Sequence, residues 1–199
     1  MLRPKERMLS EASRSSSPIE DADAILVRRF IAGDSRAFDE IYDRYKEKVY
    51  VIAKGILLNP EDASDAVQET FTLIYNNLPK FGQRSRLSTW IFRIAVNTAI
   101  QISRRLKYRS RIRPLEEAEE LTKEVEEEKD TSKVYRALAT LKPDDRAVLT
   151  MFYWENMSLE DIGEALKCGA NAAKTRLYRA RERFKERYEL LEKQSKSEE

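Results

Sequence analysis

Apolar residues recur at three- and four-residue steps along most of the chain, which is the period of amphipathic helices. Ala24, Ile25, Val27 and Phe30–Ile31 begin the pattern, and Gly33 closes it. In "DSRAFDEIYDRYKEKVYVIAKGILL" the stripe is Phe38, Ile41, Tyr42, Tyr45, Val49 and Ile52, with Asp34 or Ser35 placed to cap the helix. "NPEDASDAVQETFTLIYNNL" opens with Asn59 as N-cap and Pro60 at the first helical position. Its buried stripe is expected at Ala63, Ala66, Val67, Thr70, Phe71, Ile74 and Leu78. "STWIFRIAVNTAIQISRR", from Ser88 to Arg105, places Trp90, Ile91, Ile94, Ala95, Thr98 and Ile102 at helical spacing. Beyond residue 130, "SKVYRALATL", "KPDDRAVLTMFYWEN", "MSLEDIGEALKC" and "GANAAKTRLYRARERFKERYELLEK" each carry a stripe, and short connections separate them.

Between these two helical sets, residues 109–130 have few apolar positions and little to bury. That stretch reads as a linker. The predicted fold is all-α: two small helical domains, 21–108 and 131–193, joined by an acidic flexible linker. A serine-rich disordered tail (1–20) precedes them and a polar tail (194–199) follows. Five glycines in 199 residues argue against a sheet-rich fold with many tight turns.

Charge sharpens this division. The net charge of +2 hides blocks of opposite sign. Residues 84–113 hold Arg84, Arg86, Arg93, Arg104, Arg105, Lys107, Arg109, Arg111 and Arg113, with no acid. Residues 116–130 hold nine acids against Lys123 and Lys129, and residues 174–187 are basic again. Such blocks point to a polyanion bound by the basic stretches. Histidine is absent, and Cys168 is the sole cysteine. Histidine-based catalysis, ordinary zinc sites and intramolecular disulfides are therefore excluded. With no Gly-rich phosphate loop either, the reading is a non-enzyme with no cofactor and no metal. No apolar run reaches membrane-spanning length, and the polar N-terminus lacks a signal-peptide core, so the expected location is cytoplasmic, without membrane insertion.

Two stretches carry candidate chemistry. Ser158-Leu159-Glu160-Asp161 is a capping-box pattern that opens a short helix to Leu166. A turn at Lys167–Asn171 then leads to a longer basic helix, which is a helix-turn-helix arrangement. Lys174, Thr175, Tyr178 and Arg179 fall on one side of that second helix, and Ala173, Leu177 and Ala180 fall on the side that should bury. The pattern suits either a DNA-reading helix or a solvated amphipathic one. In the first half, Trp90 lies close to Asn97 and follows a loop with Phe81, Arg84, Ser85 and Arg86. Aromatics beside arginines can stack unpaired bases and hold their phosphates. The alternative for Trp90 is a place in the core of a helical bundle. In "EDASDAVQETF", Asp62, Asp65, Gln68 and Glu69 oppose the apolar stripe, and by spacing alone they make an ordinary wet face.

Taken together, "DSRAFDEIYDRY", "EDASDAVQETF", "LSTWIFRIAVNTA…RR" and "MSLEDIGEALKC…AKTRLYRARERF" resemble bacterial sigma factors of the extracytoplasmic-function (ECF) branch of the sigma-70 family. The motifs stand in that family's order and spacing. Residues 21–108 correspond to region 2, a helical bundle, and residues 131–193 to region 4, a helix-turn-helix domain. The resemblance implies core RNA polymerase as partner, through its β′ clamp helices and β flap, with promoter DNA as a second partner and an anti-sigma protein as a third. It turns Asp62, Asp65, Gln68 and Glu69 into core-polymerase contacts. It makes Phe81, Arg84, Ser85, Arg86, Trp90, Arg93, Asn97, Arg104 and Arg105 the surface for the −10 element, where a flipped base of the non-template strand is captured. Lys174, Thr175, Tyr178 and Arg179 become readers of the −35 element. The linker corresponds to the segment the family threads through the polymerase cleft. The family often opens its recognition helix with a Pro-x-Gly-Thr type stretch. Here Gly169-Ala170-Asn171-Ala172 stands instead, and Asn171 is the expected cap. The reading from a different class is a stand-alone helix-turn-helix regulator of duplex DNA.

Overall fold

The computed structural model describes residues 18–83, 85–112 and 129–197. Among them the chain forms eight helices and no strand: α1 (Pro18–Ile31), α2 (Arg36–Leu57), α3 (Pro60–Asn77), α4 (Leu87–Ile112), α5 (Lys129–Ala139), α6 (Pro143–Tyr153), α7 (Leu159–Ala165) and α8 (Ala170–Ser197). A single 3-10 turn, Leu78–Lys80, links α3 to the loop before α4. The expected tail up to residue 17 and most of the acidic linker lie outside the described residues. α1 starts at Pro18, three residues before the predicted domain boundary at 21 and inside the stretch expected to be a disordered tail, because proline with its fixed φ suits a first helical position.

The local signals act much as their chemistry dictates. Asn59 Oδ1 accepts the Asp62 N–H at 2.9 Å and caps α3. All seven positions of the α3 stripe, from Ala63 to Leu78, are buried. At the start of α2 the capping oxygen is that of Asp34, which accepts from the Arg36 N–H at 3.1 Å, while Ser35 makes no capping bond. Hydrogen bonds from the Arg29 guanidinium to Asp34 (2.7 and 2.9 Å) hold that carboxyl below its ordinary pKa.

α2, α3 and α4 form a bundle, and α1 closes over its end. Buried Asp23 of α1 accepts from the Tyr45 hydroxyl and, at 2.7 Å, from Arg44. Burial, and secondarily the Asp23 carboxylate, raise the Tyr45 phenol above its ordinary pKa. The second set, α5 to α8, gathers around α8. There Arg183 makes a two-pronged bond to Asp145, both at 2.8 Å.

The two sets do not stand apart. α6 packs against α2 and α7 against α4, so Ile41, Ile52 and Ile91 share one apolar cluster with Met151, Ile162 and Leu177.

Candidate nucleic-acid and polymerase interfaces

The helix-turn-helix is built from α7 and α8. Ser158 Oγ accepts from the Asp161 N–H at 3.0 Å and donates to its carboxylate at 2.6 Å, which starts α7 on time. The turn then passes very close to α7: the Cys168 N–H bonds the Gly163 carbonyl at 2.7 Å. A Cβ on Gly163 would sit 2.7 Å from the Cys168 carbonyl oxygen, so a side chain there would force the two elements apart. Lys167 takes the left-handed conformation that reverses the chain. α8 begins at Ala170, and the Gly169 carbonyl accepts from Ala173 N–H at 3.0 Å. Gly169 therefore stands at the cap, and Asn171, expected there, lies inside the first turn. Its carbonyl accepts from the Thr175 hydroxyl at 2.9 Å.

This register buries Ala173, Leu177 and Ala180 and exposes Lys174, Thr175, Tyr178 and Arg179, as the spacing requires. Tyr178 is 63% exposed, far more than a packing role would leave it. The structure also divides the basic run that composition presents as one block. Arg181 lies over the rings of Phe152 and Tyr153 (5.0 and 5.2 Å), and Arg183 is held by Asp145. Two arginines midway along the run are thus engaged within the fold, while Lys174 and Arg179 at its front are exposed.

The second surface is the loop before α4 together with that helix's outer face. Phe81 and Trp90 stack obliquely with centroids 5.0 Å apart, both half-buried against the core. Trp90 is thus partly a packing residue, with the remainder of its surface open to solvent beside the loop. Gln83 is in the left-handed region, Ser85 is half-buried and Arg86 is exposed; Arg84 lies outside the described residues. Along α4, Arg93, Asn97 and Arg104 are spaced by four and seven residues, which places them within about 40° of one another around the axis. Asn97 and Arg104 are exposed and Arg93 is half-buried, while Ile91 and Ala95 turn inward. Arg105 sits off this line and bonds Glu69 of α3 at 2.8 Å.

That bond joins two residue sets that sequence reading keeps separate. On α3, Asp65 and Gln68 are exposed, whereas Asp62 and Glu69 are half-buried. Burial, reinforced by the charges of Asp65 and Glu61, raises the Asp62 carboxyl above its ordinary pKa. Beside Gln68 runs a groove of about 410 Å³ between α2 and α3, lined by Phe38, Tyr42, Phe71 and Tyr75. The rings meet edge to face (Phe38–Tyr75 at 4.9 Å, Tyr42–Phe71 at 4.6 Å), leaving Tyr42 and Tyr75 open to solvent. Helical spacing assigned Tyr42 to the buried stripe. Its hydroxyl was the one available sign that this position could stand at a wet boundary.

Among the described residues no group of acidic or sulfur side chains is placed to hold a metal ion, and no helix is long and apolar enough to cross a membrane.

The chain matches two family models, Sigma-70 region 2 over residues 41–112 and Sigma-70 region 4 over residues 131–184. It is 31% identical over 180 residues to the RNA polymerase sigma-H factor of Pseudomonas aeruginosa, covering 82% of this chain and 92% of that protein. It is 29% identical over 170 residues to the ECF RNA polymerase sigma factor SigW of Bacillus subtilis, covering 78% and 91%. Among solved structures, the fold resembles that of CnrH in complex with the cytosolic domain of CnrY, with a TM-score of 0.64 at 24% identity over 83% of this chain and 96% of that one. Sigma factors are DNA-binding regulators that act with RNA polymerase in the cytoplasm. On these matches, carried by both of its helical regions, the chain belongs to the sigma-70 family of RNA polymerase sigma factors, in the extracytoplasmic-function branch.

Proposed function

We propose that this sigma factor directs promoter-specific initiation by reading the −35 element as duplex through α8 and the −10 element as melted single strand through α4 and its preceding loop. The observation that carries the reading is the shared outer face of α4. Arg93, Asn97 and Arg104 line up beside the Phe81–Trp90 pair. An exposed amide offers a donor and an acceptor to the unpaired edge of a flipped base, and flanking arginines hold phosphates. A duplex-only regulator needs no such surface.

On α8, Arg179 and Lys174 are the candidates for base edges and phosphates, with Thr175 and Tyr178 beside them. The acidic face of α3 (Asp62, Asp65, Gln68, Glu69), continued by the Tyr42–Tyr75 groove, is the surface offered to the β′ clamp helices of core polymerase, and region 4 is offered to the β flap. No step requires a catalytic side chain, because capture of a flipped base offsets an unstacking cost of a few kcal/mol. An anti-sigma protein is a further partner, suggested by the similar fold of the sigma factor RpoE of Bartonella quintana, solved in complex with the anti-sigma factor NepR.

Transcription in vitro with purified core polymerase, followed by mapping of the RNA 5′ ends, tests the reading. Core-dependent initiation from a defined set of start sites is expected. A footprint on duplex DNA by the free protein, with no stimulation of core, would instead establish the stand-alone regulator.

A further inference from the structure

The first turn of α8 leaves the Asn171 side chain with no task inside the protein. Gly169 stands at the cap, so the Asn171 amide is not spent on the helix end. The residue is exposed, and among the described residues nothing bonds that amide. Its neighbour one turn on is in a different state. The Thr175 hydroxyl donates to the Asn171 carbonyl at 2.9 Å, so its proton is committed to the main chain. Thr175 presents only a methyl group and an acceptor lone pair outward. Among Asn171, Lys174, Thr175 and Tyr178, only Asn171 carries a donor and an acceptor side by side in one plane.

Helix geometry places Asn171 on the exposed face that carries the other three. At about 100° per residue it lies about 20° from Tyr178, about 40° from Thr175 and about 60° from Lys174 around the axis. Its flanking residues, Ala170 and Ala172, add only methyl groups. Gly169 before them is exposed, its φ lies outside the left-handed region, and a Cβ there would meet nothing within 4 Å. Gly163 is held to glycine by the crowded turn, but neither conformation nor space inside the protein calls for one at 169. A glycine also serves where a partner must come close to the backbone, and this end of α8 is open to one.

We infer that Asn171 is a specificity-determining residue of α8 and that it selects adenine in the −35 element. This rests on the −35 reading proposed above. The N-terminal residues of a recognition helix face base edges in the major groove. Adenine presents N7 as acceptor and the N6 amino group as donor there, which complements a carboxamide: Asn171 Nδ2 donates to N7 and Oδ1 accepts from N6. Guanine presents two acceptors and would set O6 against Oδ1. Thr175 lies about 6 Å further along the axis, so its methyl group or oxygen meets a base within about two steps of that adenine, at about 3.4 Å per step. The contact is particular to this chain. A Pro-x-Gly-Thr opening has glycine, and hence no side chain to read with, where Asn171 stands.

Holoenzyme assembled from the full chain and core polymerase is bound to a promoter library randomised across the −35 segment, and the bound sequences are read at several salt concentrations. Wild type should favour adenine at one position by about 5- to 150-fold. Asn171→Ala should lose that preference alone, with the other positions and the salt slope unchanged. Asn171→Asp keeps an acceptor and loses the donor, so the preference at the same position should move to cytosine, whose N4 amino group donates. Alanine is the best helix former and an acid suits a first turn, so circular dichroism should show normal helicity for both variants. Retention of every wild-type preference in Asn171→Ala overturns the inference. A uniform loss with a shallower salt slope also overturns it, because that marks a phosphate contact, as does a lost preference for a base other than adenine. Wild-type holoenzyme with no sequence preference across the segment counts first against the −35 reading, and the inference falls with it.

Discussion

Reversing Asp65 to lysine separates the proposed polymerase-binding role of α3 from its role in the fold. Asp65 is exposed, and its charge is one of those that raise the Asp62 pKa. Removing that charge relieves repulsion, so stability should hold or rise slightly. Glu69 is a different case, because it bonds Arg105 at 2.8 Å with both side chains about half exposed. An exposed pair of this kind contributes about 0.2–1 kcal/mol. Glu69→Lys loses that and sets two cations together, for a total cost of about 1 kcal/mol. At an interface the balance is larger: a carboxylate about 4 Å from a partner cation gains up to ~4 kcal/mol in gross Coulomb energy at intermediate dielectric. Allowing for desolvation, each reversal should weaken core binding by about ten- to a hundredfold, at about 1.4 kcal/mol per decade. Competition of unlabelled variants against a fluorescent wild-type chain for core polymerase measures this, with urea denaturation run in parallel. The exchanged pair Glu69→Lys with Arg105→Glu rebuilds the ion pair without restoring the acidic face. Full recovery of core affinity in the exchange would show that Glu69 acts only through its ion pair with residue 105. Unchanged affinity in Asp65→Lys at normal helicity would refute α3 as the polymerase contact.

Asn97→Ala should assemble with core and still protect the −35 element, yet lose open-complex formation, and the defect should persist on a template with a pre-melted −10 bubble; permanganate reactivity of thymines reports it, and wild-type melting would return Asn97 to a structural role. Arg179→Ala and Lys174→Ala should each weaken holoenzyme binding, by about 1–3 kcal/mol with relaxed preference at one position where a base is read, or uniformly with a shallower salt slope where a phosphate is held; selection of bound sequences separates the outcomes, and wild-type affinity in both would remove α8 from the reading role. Asp62 has a raised folded pKa, so its contribution to stability is present below the unfolded value, about 3.9, and is lost as pH rises through the folded value. Asp62→Asn should therefore be slightly more stable than wild type near about pH 7, by under about 1 kcal/mol for a group this exposed, with the gap closing below about pH 4; urea midpoints across that range check the sign, and a less stable variant at neutral pH would contradict it.

The helices were legible in the linear sequence because they depend on neighbours three or four residues away. The α3 stripe, the Asn59 cap, the Ser158–Asp161 box and the split of α8 into a buried Ala173–Leu177–Ala180 side and an exposed side all follow from that spacing. The motifs' order carried the family. Spacing could not decide which residues from distant segments meet, since such contacts depend on how whole helices pack. That is why Tyr42 opens onto a groove, why Arg181 and Arg183 are occupied by Tyr153 and Asp145, and why Glu69 faces Arg105 across 36 positions. Charge pattern and linker composition suggested two tethered domains, yet the apolar faces of α6 and α7 found a further partner on α2 and α4. A stripe on one helix states only that something must cover it. Gly55 against Thr150, and the Arg146 guanidinium on the Ile56 carbonyl 90 residues away, show that tertiary packing chose the cover, because close approach and a buried charge are satisfied only where two surfaces fit.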